Sequence, residues 1–330
     1  MTRQSTMRAA ILETHNAPLR LSTVSTPEVG PHEVLVRVRA SGVNPLDTKI
    51  HAGAAAHARH PLPAILGIDL AGVVEQIGRK VARFKPGDEV YGMTGGVGGV
   101  PGSLAEFAAV DADLLAFKPA NLSMREAAAL PLIVITAWEG LIDRAALKAG
   151  QKVLIHGGAG GVGHVAIQIA RAFGADVFAT GSTAQRAIIG GFGATFIERD
   201  TAVETYVAAH TGGRGFDIVY DTVGGKVLDA SFESVRRFGH VVSALGWGAH
   251  ALAPLSFRAA SYSGVFTLLP LLSGEGRAHH GEIMAEATRL VEAGKLAPLV
   301  DASRFTLESV GDAYALIQDH AAKGKLVVDI

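Results

Sequence analysis

Hydrophobic and polar positions in the first third of the chain follow the short alternation of β-strands. Short stretches of β-branched and apolar residues are separated by segments rich in proline and glycine, which is typical of strands joined by tight turns. The predicted strands in this part are residues 7–12, 34–40, 70–77 and 89–92. Several short strands at this spacing predict an antiparallel barrel or sandwich.

From about residue 125 the pattern becomes helical and then alternates between the two periods. Apolar residues of the stretch 162–173 recur at helical spacing on one face, and the stretch directly follows a short apolar strand. Such alternation predicts parallel strands with crossover helices, which is a doubly wound sheet. The predicted strands are 153–156, 177–180, 218–221, 240–244 and, at the end of the chain, 325–330; the other predicted helices are 124–130, 136–144, 283–293 and 308–320.

Composition narrows the class of protein. A chain of 330 residues suits two domains, and its formal charge of -1 gives no electrostatic reason to expect nucleic acid or an anionic membrane as a partner. The sequence has no cysteine, which excludes disulfides and thiolate metal sites. No apolar stretch approaches the roughly 20 residues of a membrane span, and the first residues lack a signal-peptide pattern, so we expect a cytoplasmic protein.

A glycine-rich turn is the strongest local signal. Gly158, Gly160 and Gly163 fit the pattern G-x-G-x-x-G between the predicted strand 153–156 and the predicted helix 162–173. Glycines there let the backbone approach a pyrophosphate, and the start of the helix offers free N–H groups and a positive dipole end. A tight turn that binds nothing is the alternative, but the strand-turn-helix context favours a dinucleotide.

The residues after the second strand of this region indicate which dinucleotide. NAD sites usually place an acidic residue at the end of that strand for the ribose 2′-hydroxyl, and here the strand ends without one. Three residues nearby in sequence could hold a 2′-phosphate through charge-assisted hydrogen bonds: Ser182, Arg186 and Arg199. Taken singly, each arginine is better interpreted as a solvated surface charge. Together they favour NADPH over NADH.

Six motifs in one order resemble the medium-chain dehydrogenase/reductase superfamily, specifically its quinone oxidoreductase branch. The motifs are ASGVNPLD at 40–47, PAILGIDLAGVV at 63–74, FKPGDEVY at 84–91, HGGAGGVG at 156–163, YDTVGG at 220–225 and HAAKGK at 320–325. The resemblance implies an α/β protein with a GroES-like β-rich catalytic domain, residues 1–125 and 300–330, and a Rossmann nucleotide domain, residues 126–299. It also implies an active-site cleft where the two domains meet.

The resemblance implies a protein that works without zinc. Metal-dependent relatives have a cysteine ligand where this chain has Asn44, and Gly-His-Glu where it has Gly67, Ile68 and Asp69. A tetrahedral zinc site needs three or four nitrogen, sulfur or oxygen ligands. The remaining histidines make no complete set, so no metal site is predicted.

Family position also implies the site residues. Asn44 is the candidate catalytic residue beside the nicotinamide ribose. A purely structural role for Asn44, as the turn residue before Pro45, is an equally weighted alternative. The expected cofactor-binding residues are Asn44, Thr136, Ala159, Gly160, Gly161, Val162, Ser182, Arg186, Arg199, Thr222, Val223, Leu245, Gly246 and Lys325. Many relatives carry a tyrosine near the position of Ala55, and its absence leaves no firm general acid. Asp47, His51 and His57 are alternative proton relays, each with a structural role as the favoured interpretation.

Without a Lewis acid, the natural acceptors are compounds that stabilise negative charge themselves, such as quinones, which become phenolates, or enones, which become enolates. The function we expect is therefore NADPH-dependent transfer of hydride to a quinone or related conjugated carbonyl. An enoyl or 2-alkenal double-bond reductase and a non-catalytic NADPH-binding protein are the alternatives. Relatives often pair edge strands of their nucleotide domains, and the apolar stretch 262–269 predicts a homodimer.

Overall fold

The computed structural model describes residues 5–330. In this part of the chain the strands are β1 Thr6–Leu12, β2 Arg20–Ser25, β3 Glu33–Gly42, β4 Ala64–Ile65, β5 Asp69–Ile77, β6 Glu89–Met93, β7 Phe107–Asp111, β8 Leu115–Phe117, β9 Lys152–His156, β10 Asp176–Gly181, β11 Thr195–Glu198, β12 Phe216–Asp221, β13 Val235–Ser243, β14 Ser261–Gly264, β15 Phe305–Thr306 and β16 Val327–Asp329.

The α-helices are α1 Pro45–His51, α2 Met124–Ala128, α3 Pro131–Trp138, α4 Gly161–Ala172, α5 Arg186–Gly191, α6 Val203–Thr211, α7 Lys226–Ser234, α8 Ala253–Arg258, α9 Leu269–Ser273, α10 Arg277–Glu292 and α11 Val310–Gln318. A π-helical segment, Glu139–Arg144, continues α3. Short 3₁₀ turns lie at Ala56–Ala58, Ala112–Leu114, Thr183–Gln185 and Leu307–Ser309. No helix within residues 5–330 is long and apolar enough to cross a membrane.

The chain divides into two compact units. The first comprises the chain up to Leu132 together with Leu268–Gly294 and Pro298–Ile330, and the second comprises Ile133–Thr267 with Lys295–Ala297. The predicted domain limits, 126–299 for the nucleotide domain, remain a prediction; in this division the segment Leu268–Gly294 belongs to the first unit.

Hydrogen bonds explain why α10 belongs to the β-rich unit. The buried hydroxyl of Tyr91 on β6 donates to the carbonyl of Met284 at 2.8 Å. The guanidinium of Arg277 pairs with the carboxylate of Asp111 at 2.9 Å. Gly281 also passes so close to the Asp113 carbonyl that a Cβ would lie 2.3 Å from it. The helix therefore packs directly on the strands of its own unit.

The first unit is built from two sheets. The larger has the order β15-β16-β3-β5-β6-β8 with β7 also paired to β3, and the smaller has the order β2-β1-β4. Apart from the parallel pair β15 and β16, the strands pair antiparallel. One core cluster contains Met7, Ala9, Leu35, Ala105 and Phe107. The predicted antiparallel β-rich fold is confirmed.

The second unit holds a six-stranded sheet in the order β11-β10-β9-β12-β13-β14, with every pair parallel. Its central strands carry side chains such as Leu154 and Val219 that are fully buried, as expected for a sheet covered by helices. The predicted doubly wound sheet is confirmed, and the helix predicted at 162–173 is α4. This fold brings the carboxyl ends of six strands to one edge, where ligands bind in such sheets.

Candidate functional site

The glycine turn joins β9 to α4 in the second unit. Gly157 has a positive φ of 75°, and the N–H of Gly160 donates to the Gly157 carbonyl at 2.9 Å. A Cβ at residue 163 would lie 2.1 Å from that same carbonyl oxygen. Only glycine therefore lets α4 begin so close to the end of β9.

The start of α4 presents free backbone donors. Gly160 is its N-cap, so the N–H groups of Gly161, Val162 and Gly163 have no acceptor within the helix. Gly160 and Gly161 are exposed, while Ala159 and Val162 are half-buried. These donors and the positive end of the helix dipole suit a diphosphate.

A carboxylate organises the neighbouring loops at this sheet edge. Asp221 ends β12, is fully buried, and accepts hydrogen bonds from the backbone of Val223 at 3.0 Å and Gly224 at 2.9 Å. Its other oxygen accepts from the hydroxyl of Ser243, the last residue of β13, at 2.7 Å. Sequence reasoning missed Asp221 and Ser243; their position as the last residue of an apolar strand was the available signal.

The same hydrogen bonds place the predicted loop residues together. The hydroxyl of Thr222 donates to the carbonyl of His156 at 2.6 Å. The Leu245 N–H donates to the Ser243 hydroxyl at 3.0 Å. A Cβ at residue 224 would lie 2.7 Å from the Leu245 carbonyl oxygen. Thr222, Val223, Leu245 and Gly246 therefore share the edge with the glycine turn, and their contact with a cofactor remains a prediction.

His156 at the end of β9 is another polar residue that sequence reasoning did not assign. It is buried, and its Nδ1 lies 3.2 Å from the Thr180 hydroxyl oxygen at the end of β10. Burial lowers the pKa of His156 to about 4, opposed by the charge of Asp221. The imidazole is therefore neutral at neutral pH.

The three residues predicted for a 2′-phosphate lie at the ends of β10 and β11. Ser182 follows β10 directly, and the N–H of Arg199 donates to the carbonyl of Gly181 at 2.9 Å. The guanidinium of Arg186 lies 4.3 Å above the ring of Phe196. Both arginines are exposed, and Nε of Arg199 lies 3.7 Å from the carboxylate of Asp200, with which it forms an exposed ion pair.

Glu198 lies at the same place and was missed. It ends β11 and pairs in register with Gly181, the last residue of β10. Its carboxylate accepts a hydrogen bond from the hydroxyl of Thr183. Sequence reasoning sought an acid only at the end of β10, whereas the parallel register brings the end of β11 beside it.

Thr136 lies inside α3, which begins at Pro131, and not at the start of a helix as its family position predicts. Proline is favoured in the first turn of a helix, which accounts for the earlier start. The Thr136 hydroxyl is buried 3.1 Å from that of Thr267, and its carbonyl accepts from the Tyr220 hydroxyl at 2.6 Å. Its predicted role under the cofactor is not tested by these contacts.

In the first unit, Asn44, Asp69 and Lys325 form a buried polar cluster. Asn44 is the N-cap of α1, and its side-chain Nδ2 donates to Asp69 Oδ2 at 2.9 Å. The ammonium of Lys325 donates to the carbonyl of Val43 at 2.8 Å and to Asn44 Oδ1. The other oxygen of Asp69 accepts from the N–H of Leu132 at 2.9 Å. Both polar atoms of the Asn44 amide are therefore engaged within the protein.

Burial dominates the ionisation of this cluster. It raises the pKa of Asp69 to about 6, against the opposing charge of Lys325. It likewise raises the pKa of Asp47 to about 7, opposed by the backbone N–H of Asn44. Burial lowers the pKa of Lys325, and the two carboxylates raise it. The Lys325 cation and each carboxylate thus stabilise one another in their charged forms, whereas the charge of Asp69 disfavours the charged form of Asp47.

No group of three or more acidic or histidine side chains within residues 5–330 has an arrangement that would hold a metal ion. The residues at the positions of the family's zinc ligands do not fit zinc either. Ile68 has no ligating atom, and the oxygen of the Asn44 amide faces the Lys325 ammonium. A positive charge at that oxygen disfavours a second cation.

Comparison with known proteins finds family models that match two parts of the chain. Residues 30–120 match the family model described as alcohol dehydrogenase GroES-like domain, and residues 192–328 match the one described as zinc-binding dehydrogenase. The chain is 32% identical to human quinone oxidoreductase, covering 99% of both chains. It is 34% identical to the chloroplastic NADPH-dependent alkenal/one oxidoreductase of Arabidopsis thaliana, covering 93% of this chain and 74% of the relative.

A solved structure is similar over almost the whole length. An alcohol dehydrogenase superfamily protein from Novosphingobium aromaticivorans superposes with a TM-score of 0.97 and is 56% identical, covering 98% of this chain and 100% of that one.

Proposed function

The chain belongs to the medium-chain dehydrogenase/reductase superfamily, in the zinc-independent quinone oxidoreductase branch, and from this we propose that it reduces quinones or related conjugated carbonyl compounds with NADPH. The observation that carries the proposal is the exposed glycine turn at the start of α4, whose backbone donors suit a nicotinamide dinucleotide. Relatives named as quinone and alkenal/one oxidoreductases support the class of acceptor.

The residues at the sheet edge fit the cofactor. Ala159, Gly160, Gly161 and Val162 would lie against the diphosphate, and the backbone N–H groups of Gly161 and Val162, which have no acceptor within the helix, would donate to it. The loops after β12 and β13, fixed by Asp221, would line the nicotinamide end. A reduced nicotinamide bound there supplies the hydride. The protein's own contribution is orientation and exclusion of water around the acceptor.

We infer NADPH in preference to NADH from the charges beside the end of β10. Ser182, Arg186 and Arg199 would bind a 2′-phosphate through charge-assisted hydrogen bonds. Glu198 opposes this preference, because a carboxylate there would repel a phosphate or accept from a ribose hydroxyl. One of its oxygens is already engaged, because it accepts a hydrogen bond from the Thr183 hydroxyl. Asp200, which pairs with Arg199, adds a second carboxylate, so we rest the preference for the phosphate on Arg186 and Ser182, with Arg199 as a further donor.

The acceptor must carry its own negative charge after reduction, because the residues at the family's metal positions do not fit a Lewis acid. Quinones and enones both meet this requirement. We propose Asn44 and Lys325 as cofactor-binding residues, with Asn44 as the candidate catalytic residue. Enoyl and 2-alkenal reduction uses the same charge stabilisation, so it remains the second candidate, supported by the alkenal/one oxidoreductase relative.

We also propose that the protein forms a homodimer through β14. This strand, Ser261–Gly264, is the last in the six-stranded sheet and is shorter than the apolar stretch 262–269 that predicted it. Tyr262 on it is 39% exposed. An edge strand of this kind can pair with its copy about a twofold axis. Size-exclusion chromatography with light scattering should give twice the chain mass at micromolar concentration, and a monomer mass would contradict the proposal.

A substrate panel tests the activity. The consumption of NADPH and of NADH is measured with 9,10-phenanthrenequinone, a simple naphthoquinone and a 2-alkenal, and the expected result is faster consumption of NADPH with the quinones. Preference for the alkenal would select the second candidate. Binding of NADPH without turnover of any acceptor would mean that the protein is a non-catalytic binder.

A further inference from the structure

Three buried polar atoms lie between α1 and α11 in the first unit. They are Oδ1 of Asp47, Nδ1 of His51 and the hydroxyl oxygen of Tyr314, and none has a hydrogen-bond partner among the described residues. Asp47 is 1% exposed and Tyr314 is 3% exposed. Buried polar atoms without partners are rare in folded proteins, so three in one place require an explanation.

The three groups belong to side chains that neighbour one another. Asp47 and His51 are four residues apart on α1 and therefore lie on the same face of that helix. The rings of His51 and Tyr314 are in edge contact, with centroids 5.7 Å apart. Burial and the nearby Asp47 carboxylate together raise the pKa of Tyr314 well above its ordinary value. The phenol therefore keeps its proton and remains a donor.

The donors and acceptors of these groups cannot satisfy one another. Nε2 of His51 lies 2.8 Å from the carbonyl of Ala17, which only accepts, so Nε2 carries the ring hydrogen. In the neutral ring Nδ1 is then an acceptor. The other oxygen of Asp47 already accepts from the Asn44 N–H at 2.8 Å, which leaves Oδ1 as a second acceptor. The single O–H of Tyr314 can serve only one of the two.

The backbone N–H of Gly67 also interacts with the Asp47 carboxylate, yet Oδ1 keeps no hydrogen-bond partner, and the neighbouring charges do not supply one. Lys325 donates to Val43 and Asn44, and Asp69 accepts from Asn44 and Leu132. What is needed is one group with two hydrogens to donate and one lone pair to accept with.

We propose that one ordered water molecule lies between α1 and α11, donates to Asp47 Oδ1 and His51 Nδ1, and accepts from the Tyr314 hydroxyl. Three hydrogen bonds to otherwise unpaired atoms are the usual environment of an internal water. The water fixes the carboxylate whose other oxygen holds the N–H of Asn44, and it connects that buried carboxylate to the half-buried imidazole.

A crystal structure of the full chain at a resolution that shows internal waters is the direct test. We expect density within hydrogen-bonding distance of all three atoms. No density there, or a direct hydrogen bond from Tyr314 to either acceptor, would overturn the proposal. Nitrogen NMR of neutral His51 should show the hydrogen on Nε2, and a hydrogen on Nδ1 would equally refute it.

Tyr314→Phe tests the energetic role, with Tyr206→Phe as the matched control. Tyr206 also buries its hydroxyl but lies in the core of the second unit. The groups facing Asp47 are Asp69, Lys325, Tyr314, His51 and the N–H groups of Asn44 and Gly67. Because the water stabilises the carboxylate more than the acid, Tyr314→Phe should lower the folding equilibrium constant about tenfold more at about pH 8 than at about pH 5. Tyr206→Phe should change the folding equilibrium constant by the same factor at both pH values. The same factor at both pH values for Tyr314→Phe would contradict the proposal.

Discussion

Replacing Gly163 by alanine adds one methyl group at the closest approach of α4 to the end of β9. The new Cβ would lie 2.1 Å from the Gly157 carbonyl oxygen and 2.8 Å from its carbon. Non-bonded carbon and oxygen atoms normally stay more than about 3 Å apart, so the helix start and the turn must separate by about 1 Å. Overpacking of this kind costs about 1–3 kcal/mol.

This strain destabilises the conformation of the glycine turn in which the backbone N–H groups at the start of α4 are available to a ligand. If the whole of this cost is lost from binding, at about 1.4 kcal/mol per tenfold, the affinity for NADPH falls about 5-fold to 150-fold. Titration calorimetry with NADPH measures the change. Gly190→Ala is the control, because nothing lies within 4 Å of a Cβ at that position of α5, and its affinity should equal that of the wild type. Unchanged NADPH affinity in a folded Gly163→Ala protein would refute the role of the turn.

Three further predictions concern charge. Arg186→Glu should weaken NADPH binding about tenfold to hundredfold, because it removes a charge-assisted hydrogen bond and adds repulsion, and it should leave NADH binding unchanged. The control is Arg237→Glu, the same change at an exposed residue of β13, which should alter the affinity for neither cofactor. An unchanged NADPH affinity in Arg186→Glu would contradict the 2′-phosphate assignment. Glu198→Gln should raise the preference for NADPH over NADH in steady-state kinetics, because it removes a negative charge from the end of β11; a fall in that preference would show that Glu198 helps to bind NADPH. Because the pKa of Asp47 rises from 3.8 to about 7 on folding, the folded state binds this proton more tightly, so the contribution of Asp47 to stability should be fully present below about pH 4 and fall by up to about 4 kcal/mol as the pH rises to about 7. Denaturant titrations should show a shallower fall for Asp47→Asn, and parallel curves for the two proteins would contradict the pKa assignment.

Elements with a clear period were predicted closely. The predicted helix 162–173 is α4, and the predicted strands 7–12 and 70–77 are β1 and β5 to within one residue. β2 was missed because all of its residues are exposed or half-buried, and the half-buried positions include the polar Ser22, so no alternation of apolar residues marks the strand. The predicted edge strand 262–269 is only Ser261–Gly264, since Leu268 and Leu269 begin a helix with Pro270 in its first turn.

The sequence by itself determined the glycine turn, because its chemistry depends on residues that are consecutive: a strand end, glycines at fixed spacing and the first turn of a helix. Only the tertiary structure decided the polar cluster. Lys325 and Asn44 are separated by 281 residues. Lys325, which family position predicts as a cofactor-binding residue, is buried because β16 pairs with β3 and brings it to the N-cap of α1. Likewise, Glu198 lies beside the end of β10 through the register of parallel strands. Local conformation follows from neighbouring residues, whereas burial and the pairing of charges depend on which distant segments the sheets bring together.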